Sequence, residues 1–366
     1  MNLLFTPGKI GTLEIPNRLV RSATAESMAD EEGKLLPKMV DLYRQLSRGG
    51  VGLIITGHMY VHPGGKAHAE MTGIYTDELI PHLKKLSDAV HDEGGLVVVQ
   101  INHGGIFVDK ESVSDPVAPS EYSDESSGKF ARELSENEIA TLIDAFGQAA
   151  RRAKEVGFDG VQIHSAHGYL ISQFLSPAVN KRTDKWGGDI YNRVNFLKEV
   201  CHAIRGQVGD EYPILIKLGI EDGVEDGLVI EESLEVVKLC ERIGIDGIEI
   251  SSGFKSSSIR KGIRNETDEA YFLPFARKVK SVTNLPLLLV GGMRSKKVME
   301  QILTDGNADF ISLCRPLIND PDFPNKLRLG QKEKSDCISS NNCWPEEKGI
   351  GIACKCPIDV ISLKKK

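Results

Sequence analysis

The sequence predicts a single (β/α)8 barrel, a TIM barrel, of the α/β class. Eight short apolar runs recur along the 366 residues at fairly even intervals, and amphipathic helical stretches lie between most of them. The runs are apolar almost throughout, which is typical of parallel strands that are covered on both faces. Closing eight such units into a barrel is the simplest arrangement.

The predicted strands are Arg18–Ala23, Val51–Thr56, Leu96–Ile101, Gly160–His164, Ile214–Gly219, Gly247–Ser251, Pro286–Val290 and Asp309–Cys314. The predicted helices are Pro37–Arg48, Asp77–His91, Glu136–Val156, Tyr191–Arg205, Glu231–Ile243 and Lys296–Thr304. Before the first strand, Ile10–Pro16 resembles a small hairpin that closes the bottom of the barrel. We expect one barrel domain over residues 1–330 and a short C-terminal tail over residues 331–366.

Composition excludes several classes of protein. The chain is 40% hydrophobic and 27% charged, and its net charge of −7 gives no basic surface for nucleic acid. The apolar run Leu285–Val290 is among the longest and is far too short to span a membrane. The first residues lack the pattern of a signal peptide. We therefore expect a cytoplasmic enzyme for small molecules and leave a homo-oligomer open.

Two long connections follow predicted strands. They are Asn102–Leu134 and Ser252–Asp268, and loops of this length inside a domain usually carry function. Both follow the carboxyl end of a strand, which is the face where barrel enzymes build their sites. The second is basic, with Lys255, Arg260, Lys261 and Arg264, and is either a lid or an ordinary solvated loop.

Two imidazoles and a phenol follow the fourth strand. His164, His167 and Tyr169 lie within six residues and supply two hydrogen-bond donors and one acid. Such a group can hold a carbonyl oxygen and deliver a proton beside it. The alternatives are a His-x-x-His metal pair, which lacks a nearby third ligand, or two structural histidines.

The ends of the last two strands predict a phosphate site. Strand seven runs into Gly291 and Gly292, and a helix begins near Ser295, whose free N–H groups would face an anion. Strand eight ends before Arg315, which can add a bidentate contact. A tight turn is the alternative for the two glycines. Their position after strand seven favours a phosphorylated ligand.

Three further strand ends complete this pattern. The amide of Gln100 can bond to the edge of a heterocycle, and Gly57 leaves room for a flat ring. Lys217 lies in an apolar strand and needs an anionic partner, since a buried unpaired charge is costly. Together these residues predict a mouth that holds a phosphate at one side and a planar ring over its centre.

At residues 3 to 330 the chain resembles the Old Yellow Enzyme family of FMN-dependent oxidoreductases. The matching motifs are Pro16-Asn-Arg-Leu-Val20, Gln100-Ile-Asn-His-Gly-Gly105, Gly157 through Leu170, Gln173-Phe-Leu-Ser-Pro177, Asn180, Arg182-Thr-Asp184, Gly187-Gly188, Gly291-Gly292, Cys314-Arg-Pro316 and Asp320-Pro-Asp-Phe-Pro324. The resemblance implies a TIM barrel with FMN across its mouth. The implied FMN contacts are Ser22, Ala23, Thr24, Gly57 with its neighbour His58, Gln100, Lys217, Gly291, Gly292, Cys314 and Arg315.

The same resemblance implies the reaction. NADH or NADPH reduces the flavin, and an activated alkene such as an enone then accepts a hydride. His164 and His167 are the implied oxygen clamp, and Tyr169 is the implied proton donor. Two positions depart from the family: Lys217 replaces its usual arginine, and Ala25 replaces a cysteine or threonine that touches the flavin. We expect these changes to alter the redox potential or the choice of substrate.

Four cysteines lie in the last thirty residues: Cys337, Cys343, Cys354 and Cys356. Larger relatives, such as 2,4-dienoyl-CoA reductase and trimethylamine dehydrogenase, have an iron–sulfur motif here and then further nucleotide-binding domains. Ser340 occupies the expected position of the second ligand, so we favour a vestigial motif without metal over an iron–sulfur or zinc site. The chain ends at Lys366, and we expect a single-domain reductase.

Two other functions remain open at this point. A phosphate-binding barrel lyase or isomerase would use Lys217 for a Schiff base or proton transfer and would need no flavin. A flavin and iron–sulfur dehydrogenase related to trimethylamine dehydrogenase, or a non-catalytic electron-transfer subunit, would use the cysteines of the tail.

Overall fold

Eight parallel strands close into a barrel in the computed structural model, which describes residues 3–255, 268–345 and 350–353. The strands are β1 (Gly8–Ile10), β2 (Leu13–Ile15), β3 (Leu19–Arg21), β4 (Leu53–Ile55), β5 (Met59–Tyr60), β6 (Val97–Asn102), β7 (Val117–Ala118), β8 (Tyr122–Asp124), β9 (Lys129–Glu133), β10 (Gly160–Ser165), β11 (Ile214–Gly219), β12 (Gly247–Ser251), β13 (Leu287–Leu289) and β14 (Phe310–Leu313). The barrel order is β10-β11-β12-β13-β14-β3-β4-β6, and β6 pairs back with β10. The predicted TIM barrel is therefore confirmed.

Helices cover the outside of this barrel. They are α1 (Pro37–Arg48), α2 (Ile80–His91), α3 (Glu136–Glu155), α4 (Leu170–Leu175), α5 (Ile190–Arg193), α6 (Asn195–Val208), α7 (Ile230–Arg242), α8 (Leu273–Lys280), α9 (Lys296–Thr304), α10 (Arg315–Asn319) and α11 (Phe323–Arg328). The helix predicted over Tyr191–Arg205 is two helices that are separated at Val194. Asp189 caps the first of them. Among the described residues, no helix is long and apolar enough to cross a membrane.

The N-terminal hairpin closes the bottom of the barrel. Strands β1 and β2 pair antiparallel, and Ile10 and Ile15 are fully buried against the apolar interior that Leu215 and Phe310 help to form. A Cβ atom added at Gly247 would lie 3.0 Å from Ile10 Cγ2, so the glycine at the start of β12 leaves room for the plug. This agrees with the hairpin predicted at Ile10–Pro16.

The long connection after β6 has structure of its own. It contains a 3-10 turn (Gly105–Phe107) and a small sheet in which β9 pairs with both β7 and β8. These strands are too short for a side-chain pattern to be recognised in the sequence. The sheet leans over the carboxyl ends of the barrel strands, because Tyr122 and Lys129 line the cavity there. The second predicted connection is Ser252–Asp268. Its residues 256–267, which include Arg260, Lys261 and Arg264, lie outside the described residues.

A buried ion pair lies above the apolar bottom layer. Side chains alternate along a strand, so Lys217 shares the inward face of β11 with Leu215, and Glu249 shares that of β12 with Gly247. Lys217 Nζ is 3.1 Å from Glu249 Oε2, and both side chains are almost fully buried. The anionic partner that the sequence required of Lys217 is therefore Glu249.

Amide side chains extend the pair across the barrel. Gln162 donates to Glu249 Oε2 (3.1 Å) and accepts a hydrogen bond from Gln100 (2.7 Å), while Lys217 Nζ donates to Ser22 Oγ (2.8 Å). Within the described part of the chain, the second carboxylate oxygen of Glu249 has no hydrogen-bond partner. The interior is thus polar at the carboxyl end of the strands and apolar at the other end.

We predict that Lys217→Met and Glu249→Gln each lower the free energy of unfolding by about 3–5 kcal/mol, the usual cost of leaving one buried charge unpaired. The double variant should lose clearly less than the sum of the two single losses, because it contains neither charge and therefore leaves no buried charge unpaired. Urea unfolding of FMN-free protein measures all three.

The control for this cycle is the exposed pair formed by Lys84 and Asp88, whose side chains are 2.7 Å apart. Lys84→Met should cost less than about 1 kcal/mol, since solvent already screens that pair. Additive losses for the two buried substitutions would show that Lys217 and Glu249 do not stabilise each other.

Candidate active site

A cavity of about 790 Å³ opens at the carboxyl ends of the barrel strands. Nearly all of the residues predicted from the sequence line it, and they come from every part of the chain. They are Ser22, Ala23, Thr24, Gln100, His164, His167, Tyr169, Lys217, Gly291, Gly292, Cys314 and Arg315, together with His58 and Ala25. Gly57 is the exception and lies behind the wall.

His164 lies at the centre of the predicted clamp. Its ring is edge-on to that of Tyr169, with 4.9 Å between centroids, and to that of His167, at 5.1 Å. The backbone N–H of Ala166 donates to His164 Nδ1 (3.3 Å). In the neutral ring the proton is therefore on Nε2, which makes that atom a hydrogen-bond donor.

His167 is held by the end of the neighbouring strand β12. Its φ of +60° is left-handed, a conformation that costs a non-glycine residue about 1–2 kcal/mol. Two contacts offset this cost: its N–H donates to the carbonyl oxygen of Ser252 (2.9 Å), and its Nε2 lies 2.7 Å from Ser251 Oγ. The sequence pattern does not indicate that these two serines orient the clamp.

Burial sets the protonation of these groups. It lowers the pKa of His164 well below its usual value, and His167, His58 and Lys217 lower it further. The imidazole is therefore neutral at pH 7. Burial raises the pKa of Tyr169 to about 12, so the phenol keeps its proton. The arrangement can donate hydrogen bonds to an oxygen and supply a proton next to it.

His58 adds another imidazole to this wall. Its ring centroid lies 5.0 Å from that of Tyr169 and 5.7 Å from that of His164. Its Nδ1 is 2.9 Å from the side-chain amide of Asn102 at the end of β6. Burial, with His68 and Lys217, lowers the pKa of His58 well below its usual value.

A metal pair at His164 and His167 is the alternative left open by the sequence. Within residues 3–255, 268–345 and 350–353, no group of three or more histidine, cysteine, aspartate or glutamate side chains is arranged to hold a metal ion. Cys354 and Cys356 lie outside these ranges.

Gly57, which the sequence predicts beside a flat ring, contacts the protein framework. Its N–H donates to Glu26 Oε1 (3.1 Å), and an added Cβ would lie 2.0 Å from Glu26 Oε2. Glu26 is buried and also accepts hydrogen bonds from Arg21 (2.7 Å) and Tyr43 (2.7 Å). This network behind β3 and β4 was not apparent from the sequence, because its members are far apart in the chain.

The predicted phosphate end is only partly as expected. Gly291 and Gly292 have φ of +130° and +71°, and an added Cβ at Gly291 would lie 3.1 Å from the ring of Tyr271, so both positions need glycine. The helix N-terminus near Ser295 is not free, however. Glu269 accepts hydrogen bonds from the N–H groups of Arg294 and Ser295, at 2.8 Å each.

The C-terminal tail closes this side of the cavity. Ser339 accepts a hydrogen bond from the buried Arg294 (2.5 Å), and Asn341 accepts one from Arg315 (2.9 Å). Further along, the N–H of Ile352 donates to the carbonyl oxygen of Glu26 (2.9 Å). Cys337 and Cys343 also line the cavity, so the tail forms part of its wall.

The donor set fits FMN. Gln100, Lys217 and Ser22 form a polar group at one side of the cavity, suited to the edge of a heterocycle. The buried hydroxyl of Ser312 lines the same space and has no hydrogen-bond partner among the residues that the structure describes. After β13 and β14, the turn at Gly291 and the side chain of Arg315 line the same cavity and suit a phosphate.

Comparison with known proteins gives a family match. Residues 3–334 match the model of the NADH:flavin oxidoreductase / NADH oxidase family. The chain is 37% identical over 342 residues to NADH oxidase of Thermoanaerobacter brockii, covering 92% of this chain and 52% of that protein. It is 35% identical over 321 residues to NADPH dehydrogenase of Bacillus subtilis (strain 168), covering 87% and 92%. The chain thus spans about half the length of the NADH oxidase.

Solved structures agree with this match. The structure of a 2-naphthoyl-CoA reductase in complex with 2-naphthoyl-CoA aligns with a TM-score of 0.86 at 32% identity, over 90% of this chain and 53% of that one. The Old Yellow Enzyme homologue from Zymomonas mobilis aligns with a TM-score of 0.79 at 29% identity, over 92% and 95%. This chain therefore belongs to the NADH:flavin oxidoreductase / NADH oxidase family, the Old Yellow Enzyme family, whose members use FMN with NADH or NADPH as reductant.

Proposed function

We propose that this protein reduces activated carbon–carbon double bonds, such as those of enones and enals, with NADH or NADPH as the source of electrons. The observation that carries the proposal is the neutral His164 beside His167 and the protonated Tyr169 at the mouth of the barrel. Donors to an oxygen and an acid at adjacent positions are what conjugate reduction requires of a protein.

FMN, when bound, supplies the hydride. We propose that Ser22, Gln100 and Lys217 hold its ring, with Ala23, Thr24 and Cys314 beside it, and that Gly291, Gly292 and Arg315 hold its phosphate. The guanidinium of Arg315 already lines the cavity. Glu249 holds the ammonium of Lys217 at a distance of 3.1 Å. This positive charge is therefore already in position when the flavin ring binds.

The clamp acts on the oxygen that activates the alkene. His164 Nε2 and the His167 ring donate hydrogen bonds to this carbonyl or nitro oxygen, which gains negative charge as the double bond is reduced. Both rings are held in advance, the first by Ala166 and the second by Ser251. Tyr169 then donates its proton to the α-carbon, and its raised pKa keeps it in the acid form until that step.

The direct experiment is NADPH-dependent reduction of 2-cyclohexenone by the FMN-loaded protein, with cyclohexanone as the measured product. A barrel lyase or isomerase that uses Lys217 would take up no FMN and form no cyclohexanone. The paired state of Lys217 speaks against that alternative, because a protonated lysine held by a carboxylate is a poor nucleophile.

We predict that Tyr169→Phe separates the two halves of the reaction. Reduction of the bound flavin by NADPH should remain near the wild-type rate, because the ring is kept and no proton is needed from it. Reduction of the enone should fall by about 10²–10⁴-fold, the usual contribution of a general acid. Rapid-mixing absorbance measures each half separately, and equal losses in both would refute the role of Tyr169.

We predict that His164→Ala and His167→Ala each weaken the binding of a phenol by about 1.5–3 kcal/mol, since a phenolate oxygen would lose one donor. Titration of the FMN-loaded protein, followed by its long-wavelength absorbance, measures the affinity. His91→Ala is the control, because His91 is on the outer helix α2 and bonds to Asp159. Unchanged affinity in both clamp variants would favour structural histidines.

We also propose that residues 1–330 form the FMN domain and that the tail, residues 331–366, carries no metal. Ser340 takes the position of a cluster ligand, and Cys337 and Cys343 line the cavity. Anaerobically purified protein should therefore contain negligible iron and sulfide, with FMN near one per chain. About four irons per chain, the content of a [4Fe–4S] cluster, would instead favour a dehydrogenase related to trimethylamine dehydrogenase.

A further inference from the structure

An aromatic wall lies directly against the catalytic loop. The ring of Phe254 lies 5.7 Å from that of Phe107 and 6.0 Å from that of Tyr122, between centroids. Gly168, between the clamp and the proton donor, packs on this wall: an added Cβ would approach Phe107 Cε2 to 2.7 Å and Phe254 Cδ2 to 3.0 Å. Phe107 and Tyr122 line the same cavity as His164. A ligand held at the clamp therefore has an apolar, aromatic surface beside it.

A lysine lies at the outer end of this wall. Lys129, at the start of β9, lines the cavity and is half-buried, and its Nζ lies 4.9 Å from the centroid of the Phe107 ring. Burial lowers the pKa of Lys129, and the nearby charge of Lys110 lowers it further. The ammonium is thus partly removed from water beside a second positive charge.

The carboxylate closest in the strand ladder does not neutralise Lys129. Asp124 is its partner in the β8–β9 register, but its carboxylate accepts a hydrogen bond from Ser126 Oγ (2.6 Å) and pairs with Lys255 at 3.6 Å. No other described carboxylate makes an ion pair with Lys129. A half-buried cation without an anion is unfavourable, and an anionic ligand in the cavity would remove that cost.

We propose that the aromatic wall and Lys129 form a subsite for the anionic group of an aromatic substrate. Phe107 and Tyr122, which pack on the buried Phe254, contact its arene, and Lys129 pairs with a carboxylate or phosphate at its far end. This inference rests on the proposed function, because the reacting end of the substrate is the unsaturated carbonyl held by His164 and His167. The same cation would suit a phosphate of the nicotinamide cofactor, and the test separates these two sources.

The test uses binding rather than turnover. The FMN-loaded protein is titrated with 3-(4-hydroxyphenyl)propanoate and with its neutral methyl ester, whose phenol oxygen is expected at the clamp in both cases. Shorter pairs, from 4-hydroxyphenylacetate and 4-hydroxybenzoate, vary the distance to the anion. The wild-type protein should bind the best carboxylate about tenfold more tightly than its ester, the factor that about 1.4 kcal/mol gives.

Substitutions of Lys129 test whether this residue causes the preference for the carboxylate over its ester. Lys129→Met keeps the apolar stem over Phe107 and should reduce the ratio of affinities to near one, whereas Lys129→Arg should keep it. Lys110→Met is the matched control: it removes the neighbouring charge, but the Lys110 Nζ bonds to the carbonyl oxygen of Gly128 and does not line the cavity. This control should retain the preference.

A wild-type protein without charge preference at any length, or a preference that survives in Lys129→Met, overturns the subsite. So does a Lys129→Met variant that binds NADPH more weakly while its carboxylate preference is unchanged, since the cation then serves the cofactor. Failure of the proposed function looks different: the charge preference would be present, but neither benzylideneacetone nor its para-carboxylate would be reduced.

Discussion

The buried pair of Lys217 and Glu249 is the constraint on which the mouth of the barrel depends. Because side chains alternate in direction along a strand, both of these point into the barrel, above an apolar layer that excludes water. Neither charge is tolerated there without the other. Once paired, they fix the amide of Gln162 and, through Ser22, the end of β3. The polar edge offered to a flavin is therefore set by the interior of the barrel rather than by its loops.

Strand β12 connects this interior to the chemistry. Glu249 points to Lys217, and two residues later Ser251 holds the ring of His167, whose left-handed backbone is tied to Ser252. Strand β12 thus positions both Lys217, at the base of the cavity, and His167, one donor of the clamp. On its other side, the loop packs through Gly168 on Phe107. The clamp is positioned by a strand on one side and by an aromatic wall on the other.

The sequence predicts the barrel well because continuous apolar runs are typical of buried parallel strands. It predicts His164, His167 and Tyr169 as site residues because they follow one such run. Lys217 is visible as a charge in an apolar strand, but its partner Glu249 is defined only when the strands close in register. The small sheet of β7, β8 and β9 was missed because such short strands have no pattern. The capping of α9 by Glu269 was missed because the carboxylate comes from a separate loop.

Transfer of electrons from a bound flavin to an alkene held at the clamp is the function that we propose for this cavity. It is tested most directly by mixing anaerobically photoreduced, FMN-loaded protein with 2-cyclohexenone and following the flavin absorbance near ~450 nm. We expect the oxidised spectrum to return and cyclohexanone to form in an amount equal to the bound FMN. A spectrum that stays reduced, in protein that 1,4-benzoquinone then reoxidises, would contradict it.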